Sequence, residues 1–104
     1  MKKDDNILNI FIEEINLRLG KQVKDIILFG SRVKGDYESD SDYDCLLVVD
    51  NVSPGLIDIV DELSGDFLFK YNAIFSVFPV SESNYKEHKF NPVFMNIRNN
   101  GISL

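Results

Sequence analysis

The sequence has almost none of the residues that build disulfides or histidine-based sites. It contains one cysteine, Cys45, and one histidine, His88, among 104 residues. A single thiol forms no internal disulfide, which indicates a reducing compartment. We expect Cys45 to be a small core residue rather than a nucleophile, because no histidine-bearing motif accompanies it. We expect His88 to lie on the surface, because nothing in the sequence places it beside other reactive groups.

Long apolar runs are also missing. No run approaches the roughly 18 residues that a membrane-spanning helix needs. The first five residues, Met-Lys-Lys-Asp-Asp, have no apolar signal core behind the basic pair. We therefore expect no membrane partner and a cytoplasmic location.

Basic residues are outnumbered by acidic ones. There are 11 lysines and arginines against 17 aspartates and glutamates, which gives a formal net charge of −6. Proteins that grip long DNA or RNA normally carry a basic patch, so this balance disfavours a long nucleic acid as substrate. With 44% hydrophobic and 27% charged residues, the composition is that of an ordinary globular protein, and residues 1–104 are predicted to form one domain.

The first half of the chain predicts a helix and two strands. Apolar residues recur at helical spacing over residues 6–19, with Gly20 as the stop. Residues 23–29 and 43–49 are apolar runs typical of strands, the second covered on both faces or central in its sheet. Between them we expect a short helix or turn at 31–35 and a polar loop at 36–41.

The second half predicts a further helix, a strand and two helices. Ser53 and Pro54 are start signals for a helix to about residue 64, or to 69 if Gly65 is tolerated. A strand at 70–78, a short helix to about 88, a helix at 92–99 and an edge strand at 102–104 follow. This order predicts an α/β (α+β) fold, with a small mixed sheet packed by helices on one face and open on the other.

Residues 30–44 carry the chemistry: Gly-Ser-Arg-Val-Lys-Gly-Asp-Tyr-Glu-Ser-Asp-Ser-Asp-Tyr-Asp. Glycine lets a backbone approach a phosphate closely, and a helix that starts after it directs free N–H groups at an anion. The candidate phosphate ligands are Gly30, Ser31, Arg32 and Lys34. Asp42 and Asp44 lie two residues apart, so on a strand their carboxylates share one face. Mg²⁺ prefers carboxylate oxygens and completes its shell with water and substrate phosphates.

This arrangement resembles the signature of the polymerase-β-like nucleotidyltransferases: Gly-Ser, a basic stretch, Gly, a short loop, then Ser-Asp-x-Asp at 41–44. The strong match covers residues 24–49, and a chain of this length is similar to the minimal members of that superfamily. The resemblance implies a polymerase-β-like fold in which Gly30 and Ser31 bind a nucleoside triphosphate, foremost ATP. It further implies that Asp42 and Asp44 hold one or two Mg²⁺ ions and are the catalytic residues.

The family usually has a third carboxylate on a later strand, and the candidate strand here has none. Asn72 or Ile74 falls nearest the expected position, and Asn72 is the better candidate because it is polar. We expect Asp66 to be a surface loop residue and Ser76 to be an ordinary strand residue. The alternatives are that Asp66 substitutes for the missing carboxylate and that Ser76 lines the site. Since general-base help is typically worth about 10²–10⁴ in rate, its loss lowers or removes activity.

Three functional hypotheses follow. The first is a Mg²⁺-dependent transferase that moves a nucleoside monophosphate from a triphosphate to a hydroxyl of a protein, nucleic acid or small molecule. The second is a weak or inactive interaction protein of the same fold, favoured by Asn72. The third is a plain phosphate-binding regulatory module. The stretch Pro-x-Phe-x-Asn-Ile at 92–97 resembles the antitoxin-type subset that pairs with helical HEPN-type proteins, which implies such a partner.

Overall fold

The computed structural model describes residues 5–34 and 42–104. Its elements are α1 (Asn6–Leu19), β1 (Val23–Phe29), α2 (Ser31–Lys34), β2 (Tyr43–Val49), α3 (Pro54–Tyr71), β3 (Phe75–Ser81), α4 (Glu82–Glu87), α5 (Pro92–Asn100) and β4 (Ile102–Ser103). A 3₁₀ turn, Gly20–Gln22, joins α1 to β1. The predicted element order is confirmed, as are the bounds of α1, β1 and β2.

The four strands form one mixed sheet in the order β3-β2-β1-β4. β1 is antiparallel to β2 and β4, whereas β3 is parallel to β2. β2 therefore lies inside the sheet with a strand on each side, as its continuous apolar run predicts. The predicted fold class, α+β with a small mixed sheet packed by helices, is confirmed. No helix of the described residues is long and apolar enough to cross a membrane.

Helices cover both faces of the sheet, so the prediction of one open face is wrong. The first face packs against α1 and α3 through a buried cluster that includes Phe11, Phe67 and Phe75. The second face carries a smaller cluster in which Ile97 of α5 meets Leu46 and other strand residues. Because side chains alternate along a strand, Tyr43 and Cys45 belong to the α1/α3 face and Asp44 to the α4/α5 face.

The predicted strand at 70–78 is wrong over its first five residues. α3 continues through Gly65 to Tyr71, and Asn72 ends it in a left-handed conformation with φ 53°. The Asn72 N–H donates to the Leu68 carbonyl at 3.0 Å, which satisfies an end carbonyl of the helix. Asn72 is thus a helix cap outside the strand, and the argument for it as a third site residue on that strand fails. Asp66 is an exposed residue of the same helix.

Candidate active site

The turn after β1 lies directly against the Asp44 carboxylate. Gly30 has φ 85°, which L side chains rarely adopt. A Cβ at this position would lie 2.5 Å from Asp44 Oδ2. The Gly30 carbonyl accepts a hydrogen bond from Val33 N at 3.2 Å, which closes the first turn of α2. Glycine is therefore required here both by backbone conformation and by close approach.

Asp44 is held in place by strand pairing on both sides. It pairs with Phe29 of β1 and with Ser76 of β3. The carboxylate is partly buried, and this burial raises the pKa of Asp44; the nearby charge of Asp42 raises it further. Asp42 is exposed and precedes the strand. The structure thus places Gly30 against Asp44, with the charge of Asp42 nearby, and the assigned roles of these residues stay predictions.

These two carboxylates suit a divalent cation. Burial and a neighbouring negative charge both disfavour the ionised form of the Asp44 carboxyl group. A bound cation offsets both effects. Two carboxylates, with waters and substrate phosphates completing the shell, fit the ligand preference of Mg²⁺. Within residues 5–34 and 42–104, no three His, Cys, Asp or Glu side chains form a metal-binding group.

The position beside Asp44 on β3 is a serine. Asp44 pairs with Ser76 in the parallel register, so the two side chains share a face of the sheet. Ile74 precedes β3, and its carbonyl accepts a hydrogen bond from Tyr43 N at 2.8 Å. Neither Ser76 nor Ile74 carries a carboxylate. The side chain beside Asp44 on β3 is therefore the hydroxyl of Ser76. Ser76 is a strand residue as expected, and a role for it in the site stays a prediction.

Arg32 contacts the opposite face of β2. Its guanidinium carbon lies 3.8 Å from the centroid of the Tyr43 ring. Its Nη1 lies 3.9 Å from Asp5 Oδ2, and the Arg32 side chain is only 9% exposed. The Tyr43 hydroxyl donates to Asp5, with both carboxylate oxygens at 3.0 Å. These contacts join the start of α1 to β2, so the structure does not bring the Arg32 guanidinium to the Asp44 face.

Ser31 and Lys34 are the other predicted phosphate ligands on α2. The backbone of Ser31 and Lys34 forms α2, but their side chains lie outside the described part of the structure. Gly35, Ser41 and the acidic residues at positions 36, 38 and 40 also lie outside it. Their assigned roles stay predictions.

Cys45 and His88 take no part in this site. Cys45 is buried in the α1/α3 core, and burial, followed by the charge of Asp44, raises the pKa of its thiol to about 12. Such a thiol stays protonated, as a core residue should. His88 is exposed, with Nδ1 3.0 Å from the Asn84 carbonyl oxygen. Both sequence expectations are confirmed.

A pair of amides near the Gly30 turn was missed at the sequence level. Asn96 and Asn100 of α5 line a cavity together with Phe29, Gly30 and Val33. The available signal was their spacing, because residues i and i+4 share one side of a helix. Only the packing of α5 on β1 brings that side to the turn.

A pair of carboxylates beside a glycine turn is an arrangement that suits phosphate-transfer chemistry. The nucleotidyltransferase domain family matches residues 9–94. The chain belongs to this family, which makes it a transferase of the nucleotidyltransferase type and supports the polymerase-β-like resemblance. Participation of a nucleoside triphosphate follows from that activity.

Three known proteins are similar to this chain. A Methanocaldococcus jannaschii protein provisionally named a protein adenylyltransferase is 30% identical over 84 residues, which are 81% of this chain and 80% of the relative. A second protein of that organism, with the same provisional name, is 27% identical over 96 residues, 89% of this chain and 65% of the relative. A crystal structure of a provisionally named nucleotidyltransferase from Sulfolobus solfataricus is similar over 84% of each chain, with 21% identity and a TM-score of 0.39.

Proposed function

We propose that this chain is a Mg²⁺-dependent nucleotidyltransferase that transfers a nucleoside monophosphate, foremost AMP from ATP, to a hydroxyl group of a protein. The observation that carries the proposal is the contact between the Gly30 turn and Asp44, where a Cβ would lie 2.5 Å from the carboxylate. The names of the two Methanocaldococcus jannaschii relatives support adenylylation of a protein acceptor. The site is proposed to lie within a single minimal domain, residues 1–104, working in the cytoplasm.

In this proposal, Asp42 and Asp44 would hold Mg²⁺, which would neutralise phosphate charge and orient the substrate. The turn at Gly30 and Ser31 admits the triphosphate close to the backbone, and the Lys34 side chain adds positive charge. The acceptor oxygen bonds to the α-phosphorus as the bond from that phosphorus to the bridging oxygen breaks. Pyrophosphate leaves, and the proton of the acceptor hydroxyl passes to water.

The serine at position 76 predicts a low rate of nucleotide transfer. A serine hydroxyl beside Asp44 does not accept a proton at neutral pH as a carboxylate does. Phosphoryl transfer depends chiefly on positioning and charge stabilisation, so two aspartates retain turnover at a reduced rate. Ser76→Asp should therefore raise the rate.

The test of the proposal is calorimetric titration with ATP, GTP, CTP and UTP, each with and without Mg²⁺. We expect binding of wild type to need Mg²⁺ and to vanish in the Asp42→Ala, Asp44→Ala variant. Asp66→Ala, which removes an exposed aspartate of α3, is the matched control and should bind as wild type does. Binding that is unaffected by loss of both aspartates would refute the site.

The acceptor is proposed to be a helical HEPN-type protein, by family resemblance. Exposed apolar side chains at the end of α3 support a protein partner, with Phe69 91% exposed and Leu68 49% exposed. Co-expression with such a protein should give a complex, and mass spectrometry should find a nucleotide on the partner. A partner that never gains a nucleotide, despite Mg²⁺-dependent ATP binding, would exclude it as acceptor.

A second candidate is a nucleotide-binding interaction protein that does not turn over. The serine beside Asp44 favours it, because this strand supplies no third carboxylate. The two candidates differ in one result. An interaction protein would inhibit the activity of its partner equally well with or without Asp42 and Asp44. A transferase would lose this inhibition when both aspartates are replaced.

A further inference from the structure

A cavity of about 330 Å³ opens beside the Gly30 turn. Phe29, Gly30 and Val33 form one side, and Asn96 and Asn100 of α5 form the other. Gly30 therefore borders both this cavity and the Asp44 carboxylate. A ligand with phosphates at the Gly30 turn would have the cavity next to it.

The two asparagines form a hydrogen-bonded pair. Asn100 Nδ2 donates to Asn96 Oδ1 at 2.6 Å. This bond leaves the Asn96 amino group as a donor and the Asn100 carbonyl oxygen as an acceptor. The pair thus offers complementary hydrogen-bonding groups to one ligand.

The position of the pair is fixed by the packing of α5 on β1. Ile97, next to Asn96, is 3% exposed and belongs to the buried cluster on that face. Gly101, next to Asn100, lies so close to β1 that a Cβ would be 2.6 Å from Ile27 Cγ2 and 3.0 Å from the Leu28 carbonyl oxygen. The backbone next to each asparagine is therefore fixed relative to the Gly30 turn, and both asparagine side chains are exposed.

We propose that Asn96 and Asn100 bind the nucleoside part of the triphosphate, an inference that rests on the proposed function. The described lining combines an aromatic ring, an aliphatic side chain and two amides, and no lysine or arginine is among those residues. A neutral group with an apolar body and a polar edge fits this lining better than a phosphate does. The sugar hydroxyls and the base edge share that chemistry.

The test is titration with ATP, 2′-deoxy-ATP and inorganic tripolyphosphate in Mg²⁺. The variants are Asn96→Ala and Asn100→Ala. Asn99→Ala is the matched control, because Asn99 is exposed on the same helix and is not among the residues lining the cavity. Asn96→Asp keeps the size of the side chain and exchanges its donor for an acceptor. Thermal melting checks that each variant is folded.

We expect the Ala variants and Asn96→Asp to weaken ATP binding about tenfold, the effect of losing one or two hydrogen bonds. Tripolyphosphate binding and the Asn99→Ala control should match wild type. If wild type prefers ATP to the deoxy form and the Ala variants do not, the sugar hydroxyl is the contact. If they keep that preference but bind both more weakly, the base edge is the contact.

Two results would overturn the inference while leaving the proposed function intact. One is wild-type ATP affinity in every asparagine variant when the Asp42→Ala, Asp44→Ala variant no longer binds. The other is an equal loss for tripolyphosphate and ATP, which would assign the pair to phosphates. Wild type that binds no nucleoside triphosphate would instead refute the proposed function, and the inference with it.

Discussion

Gly30 and Asp44 occupy adjoining space at one end of the sheet, so close that a Cβ on Gly30 would lie 2.5 Å from Asp44 Oδ2. Gly30→Ala should therefore lose about 1–3 kcal/mol of stability through its positive φ and should also displace the carboxylate. Gly20→Ala is the control, because Gly20 has φ 57° but nothing within 4 Å of its Cβ position. Both variants should unfold at a lower urea concentration than wild type, and only Gly30→Ala should lose Mg²⁺-dependent ATP binding. Equal ATP affinities in the two variants would contradict the role given to this contact.

Asp44 is expected to destabilise the metal-free fold. Burial and the charge of Asp42 raise the pKa of Asp44 above its ordinary value of 3.8. The protonated carboxyl therefore favours the folded state below pH 3.8, and this contribution to stability is lost as the pH rises through the folded-state pKa. At pH 7 without Mg²⁺, Asp44→Asn should therefore melt at a higher temperature than wild type while losing transfer. Asp66→Asn, on an exposed part of α3, is the control. A lower melting temperature of Asp44→Asn in chelator would contradict this expectation.

Tyr43 is expected to serve stability alone. Its hydroxyl donates to the Asp5 carboxylate at 3.0 Å on the face opposite Asp44. Tyr43→Phe removes this charge-assisted hydrogen bond and should cost about 1.5–3 kcal/mol in urea unfolding. ATP affinity measured below the unfolding transition should not change. Loss of affinity in the folded variant would show that the two faces are coupled.

Two glycine-to-alanine changes should have opposite signs. At Gly101, a Cβ would lie 2.5 Å from the Ile97 carbonyl oxygen, although its φ of −81° is ordinary. Gly101→Ala should therefore destabilise the protein by about 1–3 kcal/mol through overpacking. Gly65 lies within α3 with nothing within 4 Å, so Gly65→Ala should stabilise the protein by about 0.5–1 kcal/mol. Urea unfolding of the pair measures both, and the same sign for both would refute the packing argument.

The Cys45 thiol should make the protein less stable in alkali. Burial raises its pKa from 9.0 to about 12, so above pH 9 the unfolded chain releases a proton that the folded chain retains. The free energy of unfolding should fall by about 1.4 kcal/mol per pH unit from this residue between pH 9 and 12. Cys45→Ala lacks this group, so its stability should fall less steeply there. Parallel profiles for both proteins would exclude the thiol as the cause.

The helices and strands that the sequence predicts correctly have capping residues or apolar patterns within their own segments. Ser53 accepts a hydrogen bond from Leu56 N as the predicted cap of α3. The predicted start of β3 is wrong because Leu68, Phe69 and Tyr71 are apolar or aromatic as in a strand, although they form the last turn of α3. Asn72 was the missed stop signal, since asparagine tolerates the left-handed conformation of a helix end.

The parts of the site that the sequence leaves undetermined depend on long-range packing. The spacing of Asp42 and Asp44 is local and predicts their proximity. The pairing of Asp44 with Ser76 depends on how β3 aligns with β2 after an intervening helix. Likewise, only folding shows that Arg32 lies over Tyr43 and that α5 brings Asn96 to Gly30. The spacing of residues in the sequence predicts only local structure, so it does not predict these contacts between distant parts of the chain.

The central position of β2 has a thermodynamic consequence for ligand binding. This strand is paired on both edges and covered by helices on both faces, so its backbone amides should be among the slowest to exchange with solvent. Asp44 therefore sits on a preorganised part of the chain. A nucleotide that binds there does not have to order the strand, so its affinity is reduced little by lost conformational entropy at that position.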